Sequence, residues 1–211
     1  MAIVWPCELS VDEYVAAGRD VVVPRPGCPG CRRAMIFWSG YERDVRVGRV
    51  RRIWVRRVKC RPCGVNHALI PAFCLLGRLD GVAVIVGALA RMAAGVTVAE
   101  VAGAIDVPYT TARDWRRRHL ARAEVLAAGL AAMTVTWSGV APVLSPGPET
   151  ASMEALGAAW DAARRRLEGC LPGLGRWWSL VTGGAALAAT RDPPWKGGGD
   201  WGLMPPVPYR F

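Results

Sequence analysis

Cys28-Pro29-Gly30-Cys31 and Cys60-Arg61-Pro62-Cys63 decide the reading of this chain. Two residues between cysteines let both thiolates of a pair reach one tetrahedral metal ion, and two such pairs close a four-sulfur shell. Pro29, Gly30, Pro62 and Gly64 suit the tight turn that each half-site needs. The 28 residues between the pairs are enough for a small antiparallel sheet. Residues 34–38 and 50–58 read as strands, with turns at Ser39-Gly40 and Val47-Gly48. In the second strand Ile53 and Val55 fall on one face, and Arg52, Trp54 and Arg56 on the other. A shell of four cysteines leaves no open coordination position, so the spacing predicts a structural Zn2+ rather than a catalytic one.

Charge is concentrated on the same segment. The chain of 211 residues carries a net charge of +10. Between Arg19 and Cys63 there are 13 basic and three acidic residues, and the rest of the chain is neutral. A basic, metal-stapled sheet points to nucleic acid as partner. Apolar residues make up 52% of the chain, enough for a packed core. The N-terminus lacks the basic start and long apolar run of a signal peptide. The longest uncharged apolar stretch, residues 81–90, is too short to span a bilayer. The expectation is a cytoplasmic, nucleoid-associated protein with no membrane partner. In a reducing compartment paired C-x2-C motifs favour metal over disulfides. Cys7, Cys74 and Cys170 stand alone and read as small buried apolar side chains.

Residues 11–17 read as a short amphipathic piece and 21–23 as a strand. Residues 72–94 repeat apolar side chains at threes and fours, as a helix does, and Gly95 ends it. Thr97-Val98-Ala99-Glu100 has the form of a capping box opening a short helix. Pro108 suits the first turn of a second helix running from about Tyr109 into Arg116-Arg117-Arg118. Val101, Ile105, Val107, Ala112 and Trp115 form the inner side of the pair, with Ala102 small at the crossing. That leaves Tyr109, Thr110, Arg113, Asp114 and Arg117 outward, where such a helix meets base edges in a major groove. Arg116, Arg118 and Arg122, with Arg52, Arg56, Arg57 and Lys59 of the sheet, are the candidates for phosphate contacts. A plain helical hairpin with solvated arginines has the same local pattern.

The order of C-x2-C, the basic strand Arg56-Arg57-Val58-Lys59-Cys60-Arg61-Pro62-Cys63, Asn66-His67-Ala68-Leu69-Ile70-Pro71 and Thr110-Thr111-Ala112-Arg113-Asp114-Trp115 resembles the N-terminal DNA-binding region of bacterial insertion-sequence transposases. It is closer still to a family of uncharacterised stand-alone helix-turn-helix proteins of high-GC bacteria. The resemblance spans residue 24 to about 125. It implies duplex DNA binding through a zinc ribbon and a helix-turn-helix, in regulation or beside a mobile element. The cutting domain of those transposases needs three carboxylates around two metals. Only 76 residues follow residue 135, and their acids lie on a linker, one helix and a tail, so no enzyme is expected.

The organisation expected is α+β: a lead-in at 1–24, a zinc ribbon at 25–71, a helix-turn-helix domain at 72–135, a linker at 136–150, a helical extension at 151–190 with helices at 153–167 and 177–182, and a Pro/Gly-rich tail at 191–211. His67 has three open roles: metal ligand, phosphate contact, or a cap or packing group. His119 reads as solvated or phosphate-facing. Trp160, Trp177 and Trp178 read as buried, and Trp195 and Trp201 in the tail as a segment for a protein partner. A homodimer also stays open. Two other functions compete: a zinc-stabilised protein–protein adaptor, and a single-stranded nucleic-acid binder in which Trp38 and Trp54 stack on bases.

Overall fold

The computed structural model describes residues 2–167 and 171–189. Among them the chain forms a four-stranded sheet and seven α-helices, a mixed α+β fold. The strands are β1 (Ala2–Trp5), β2 (Ile36–Val47), β3 (Arg49–Lys59) and β4 (Asn66–Pro71), in the order β1-β4-β3-β2. β2 and β3 make a long hairpin, reversed at Gly48 with φ +69°, a backbone state that strains any side chain. β3 pairs antiparallel with β4 only at its far end, from Arg57 to Lys59, and β1 pairs parallel with β4. The strand period is as read: Ile53 and Val55 are buried, and Arg52 points to solvent.

Helix α1 (Val11–Ala17) opens with a Ser10/Glu13 capping box. Its Tyr14 is fully buried between Trp5 and Phe73, and its hydroxyl donates to the carbonyl of Trp54 (3.0 Å). The stretch expected to be a lead-in is therefore part of the sheet's core, because β1 supplies Ile3, Val4 and Trp5 to it. Residues 21–23 are not a strand. Val21 and Val23 are buried, but their backbone joins no ladder.

The helices are α2 (Val82–Ala93), α3 (Val98–Ala104), α4 (Tyr109–Leu120), α5 (Ala123–Ser138), α6 (Pro148–Arg166) and α7 (Leu174–Val181). The periodic run at 72–94 is helical only from Val82. Residues 72–81 turn, with Gly77 at φ +65°, and Leu75 is buried without a helix around it. A bend of 61° at Ala121-Arg122 splits the stretch after α3 into two helices. Gly139 closes α5 in the left-handed state, and residues 139–147 connect it to α6. α6 starts five residues earlier than its apolar pattern predicts, at Pro148 in the first turn. No single described helix is long and apolar enough to cross a membrane. Cys170, Trp195, Trp201 and the tail at 191–211 lie outside the described residues.

Two apolar clusters form, one under the sheet and one among the helices. α7 joins them: Leu180 packs into the first, and Trp177, Trp178 and Val181 into the second. Ser179 Oγ donates to the carbonyl of Cys74 (2.6 Å), and Arg176 donates to the carbonyls of Cys7 (2.6 Å) and Leu9 (2.9 Å). The hairpin tip is fixed to the helical half at Arg46. Its guanidinium bonds both oxygens of Asp80 (2.6 and 3.1 Å), and its carbonyl accepts from the N–H of Gly81 (2.9 Å) just before α2.

Candidate metal centre and nucleic-acid interface

The two cysteine pairs fold into matching loops. The N–H of Cys28 bonds the carbonyl of Arg33 (2.8 Å), and the N–H of Cys60 bonds that of Val65 (2.9 Å), so each loop closes over six residues. The residue after the second cysteine is left-handed in both: Arg32 at φ +58° and Gly64 at φ +67°. This reversal turns both thiols of a pair toward one point. All four sulfurs lie within 4.8 Å of one another, close enough to hold one metal ion, with Cys28 and Cys60 buried and Cys63 exposed.

Backbone N–H groups of Cys31 and Gly30 aim at the Cys28 sulfur and bring its thiol down to about 7. Hydrogen bonds to the neighbouring sulfurs of Cys31 and Cys60 favour the protonated Cys63 and push it up to about 12. A divalent ion held among the four would displace such thiol protons. His67 is buried on β4 opposite Val58 and is not in the sulfur cluster. Burial lowers its basicity, and packing in the sheet is its role.

The paired helices α3 and α4 cross at a short turn. Thr97 and Glu100 form the capping box, with Thr97 Oγ1 accepting from the Glu100 N–H (3.3 Å) and Glu100 accepting from the Thr97 N–H (3.1 Å). Asp106 takes the left-handed state (φ +52°), which its short polar side chain tolerates. Val101, Ala102, Ala112 and Trp115 are buried. On the other side of α4, Tyr109, Thr110, Arg113 and Arg117 are exposed, with the Arg113 guanidinium 5.8 Å from the Tyr109 ring centre.

Other predicted contacts have work inside the fold. Asp114 accepts from Arg118 (2.7 Å), Arg117 (2.5 Å) and Arg78 (3.1 Å), and the Arg118 hydrogen bond foremost holds its carboxyl below the usual range. It orders three arginines instead of facing outward alone. Arg116 grips both oxygens of Glu149 (2.7–3.1 Å), tying α4 to the start of α6. The phosphate role expected for Arg122 does not fit its position, since it is buried and donates to the carbonyl of Ala188 (3.1 Å). Nor is His119 solvated: it is buried, with Nε2 2.8 Å from Ser152 Oγ. The helix period puts His119 with Ala112 and Trp115, and that was the available signal.

On the sheet, Arg52 pairs with Asp44 (3.0 Å), and Arg56 donates to the carbonyl of Arg19. Arg57 is exposed above Tyr41, and Lys59 lies 4.7 Å from the Trp38 ring centre. Trp54 is closed off. Its ring lies so near Gly40 that a Cβ there would be 2.4 Å from it, and Arg19 caps it at 4.3 Å. Trp38 is 61% exposed. Arg49 escaped the reading. It is exposed beside Gly48 at the hairpin tip, and Gly48 shares a cleft with Arg91, Ile105 and Val107, next to the turn into α4. Only the long-range docking of the hairpin brings it there. No protein-family model matches the chain, and neither a curated protein nor a solved structure matches it.

Proposed function

We propose that the chain is a zinc-stapled DNA-binding protein without a catalytic role, in which α3 and α4 act as a helix-turn-helix and the outer strip of α4 meets duplex DNA. The observation that carries this reading is the division of α4 into two sides. Ala112, Trp115 and His119 are sunk in the core, while Tyr109, Thr110, Arg113 and Arg117 stand free of it. Arg113 is the base reader of first choice, since a guanidinium bonds both acceptors of guanine in the major groove. Thr110 suits a thymine methyl or a polar base edge. Asp114 holds Arg117 and Arg118 in place. Arg49 at the neighbouring hairpin tip adds a phosphate contact.

Zinc is the metal proposed for the four sulfurs, since thiolates are soft ligands and a closed four-sulfur shell is the usual structural site. Its task is to hold the two cysteine loops together. Regulation of transcription and service to a mobile element are both compatible with this reading, and the resemblance of the cysteine and helix motifs supports DNA as the partner.

The test is selection of zinc-loaded protein against a random duplex pool at near-physiological salt, beside a chelated control. Enrichment of one motif, weakened or altered by Arg113→Ala, is expected. Retention without a motif, fading with salt and indifferent to Arg113→Ala, refutes sequence reading by α4.

A further inference from the structure

The sheet carries a second surface, at the end opposite α4. Strand β2 of the hairpin, from Ile36 to Val47, is 12 residues long. At about 3.3 Å per residue it separates the cysteine loops from the tip by roughly 35 Å. The tip lies against α2 and the α3–α4 turn, so the cysteine loops lie at the opposite end of the hairpin from the helix pair.

At that far end Arg32, Arg33, Arg57 and Arg61 are exposed, and none of them has an ion pair among the described residues. No acidic residue occurs between Val21 and Tyr41 or between Ile53 and Leu79. A divalent ion in four thiolates leaves two excess negative charges, fewer than these cations with Lys59 supply. Trp38 stands among them at a register shift between Phe37 and Ser39. A bulge re-aims a side chain, and here it turns a tryptophan out to solvent. Lys59 lies over the ring at 4.7 Å, and most of the side chain is open. An exposed tryptophan beside Lys59, on an end of the sheet rich in exposed arginines and free of acids, matches an unpaired base with its flanking phosphates. Arg32 adds to the case. It occupies a left-handed position that its counterpart fills with Gly64, so a guanidinium is kept there against backbone strain.

We propose that Trp38 and the arginines of the cysteine-loop end form a second nucleic-acid contact, which stacks an unpaired base of a single-stranded segment apart from the α4 contact. The preferred ligand is then a duplex with a single-stranded extension. This rests on the duplex reading of α4 only for the duplex part of that ligand.

The experiment uses zinc-loaded full chain and two fluorescein-labelled probes, a blunt duplex and the same duplex with a short oligothymidine extension, read by anisotropy. The extension should tighten binding about 5- to 30-fold, the range of one or two stacked bases. Trp38→Ala should abolish that gain and change blunt-duplex affinity less than about twofold, while Trp38→Phe keeps most of the gain. No gain from the extension, or an equal loss on both probes with Trp38→Ala, overturns the proposal. Metal content and far-UV dichroism of each variant separate a lost contact from a lost fold. Arg113→Ala keeps the two readings apart. If it spares blunt-duplex affinity while Trp38→Ala still removes the extension's gain, α4 is not the duplex reader and the stacking site stands.

Discussion

His119 makes this fold acid-sensitive in a defined window. Its ring is buried between α4 and α6, and Ser152 Oγ already donates to the carbonyl of Glu149 (2.9 Å). The hydroxyl is thus placed to accept from Nε2–H, which leaves Nδ1 as a buried lone pair with no partner. Protonation would put a charge and an unbonded N–H in that spot. Burial therefore lowers the imidazole from its ordinary 6.5 to about 4, with the Glu149 carboxylate opposing only in part. As pH falls, the unfolded chain takes up the proton first. Stability is complete above about pH 6.5, declines through the window, and levels below about pH 4. At about 1.4 kcal/mol per pH unit the full loss is about 3–4 kcal/mol.

The assay is urea unfolding of metal-loaded protein from about pH 7.5 to about pH 4.5, in the native chain and in His119→Phe. Phenylalanine fills a similar space, and Ser152 retains its bond to the Glu149 carbonyl. Protonation of the cysteine thiolates and of carboxylates affects both proteins alike, so the difference between their slopes isolates His119. The native protein should lose about 2–3 kcal/mol more than the variant across the window. Parallel pH profiles would refute the buried, singly bonded histidine.

Three further substitutions test particular contacts. Gly40→Ala drives a methyl against the Trp54 ring and should cost about 1–3 kcal/mol in thermal or urea unfolding. Arg32→Gly should stabilise the metal-loaded chain by about 0.5–1 kcal/mol by relieving the left-handed backbone, while Gly64→Ala should cost about 1 kcal/mol. If Arg32 is held there to grip a phosphate, the stabler variant also binds the extended probe more weakly. Glu149→Gln removes the charged partner of Arg116 and should cost about 1–2 kcal/mol, a range reduced because the Arg116 side chain is 38% exposed.

Local chemistry carried most of what was legible in the sequence. The two cysteine pairs, the period-two burial of Ile53 and Val55, and the Thr97/Glu100 box each depend on residues a few positions apart, and each is found in the structure. The misplaced features depend on distant partners. Ala2, Ile3, Val4 and Trp5 look like a lead-in until β1 is paired with a strand more than sixty residues away. The helical repeat at 72–81 is produced by side chains that pack from turns, which periodicity cannot distinguish from a helix.

The arginines show the same limit where it matters for function. Composition counts them alike, but the fold spends Arg46 on Asp80 and Arg116 on Glu149, and buries Arg122. The pairs are 34 and 33 residues apart, so no local spacing marks them. Among the arginines that remain outward, two groups bear on the proposed contacts: Arg113 and Arg117 on α4 with Arg49 at the neighbouring hairpin tip, and Arg32, Arg33, Arg57 and Arg61 around the cysteine loops. The hairpin is the rigid spacer between the two. Arg46 and Gly81 lock its tip to α2, and the pairing of Arg57–Lys59 with β4 fixes its other end, so the two places keep a constant separation. A footprint with two protected patches, one lost with Arg113→Ala and the other with Trp38→Ala, is the behaviour that two separate contacts demand and that one continuous contact cannot give.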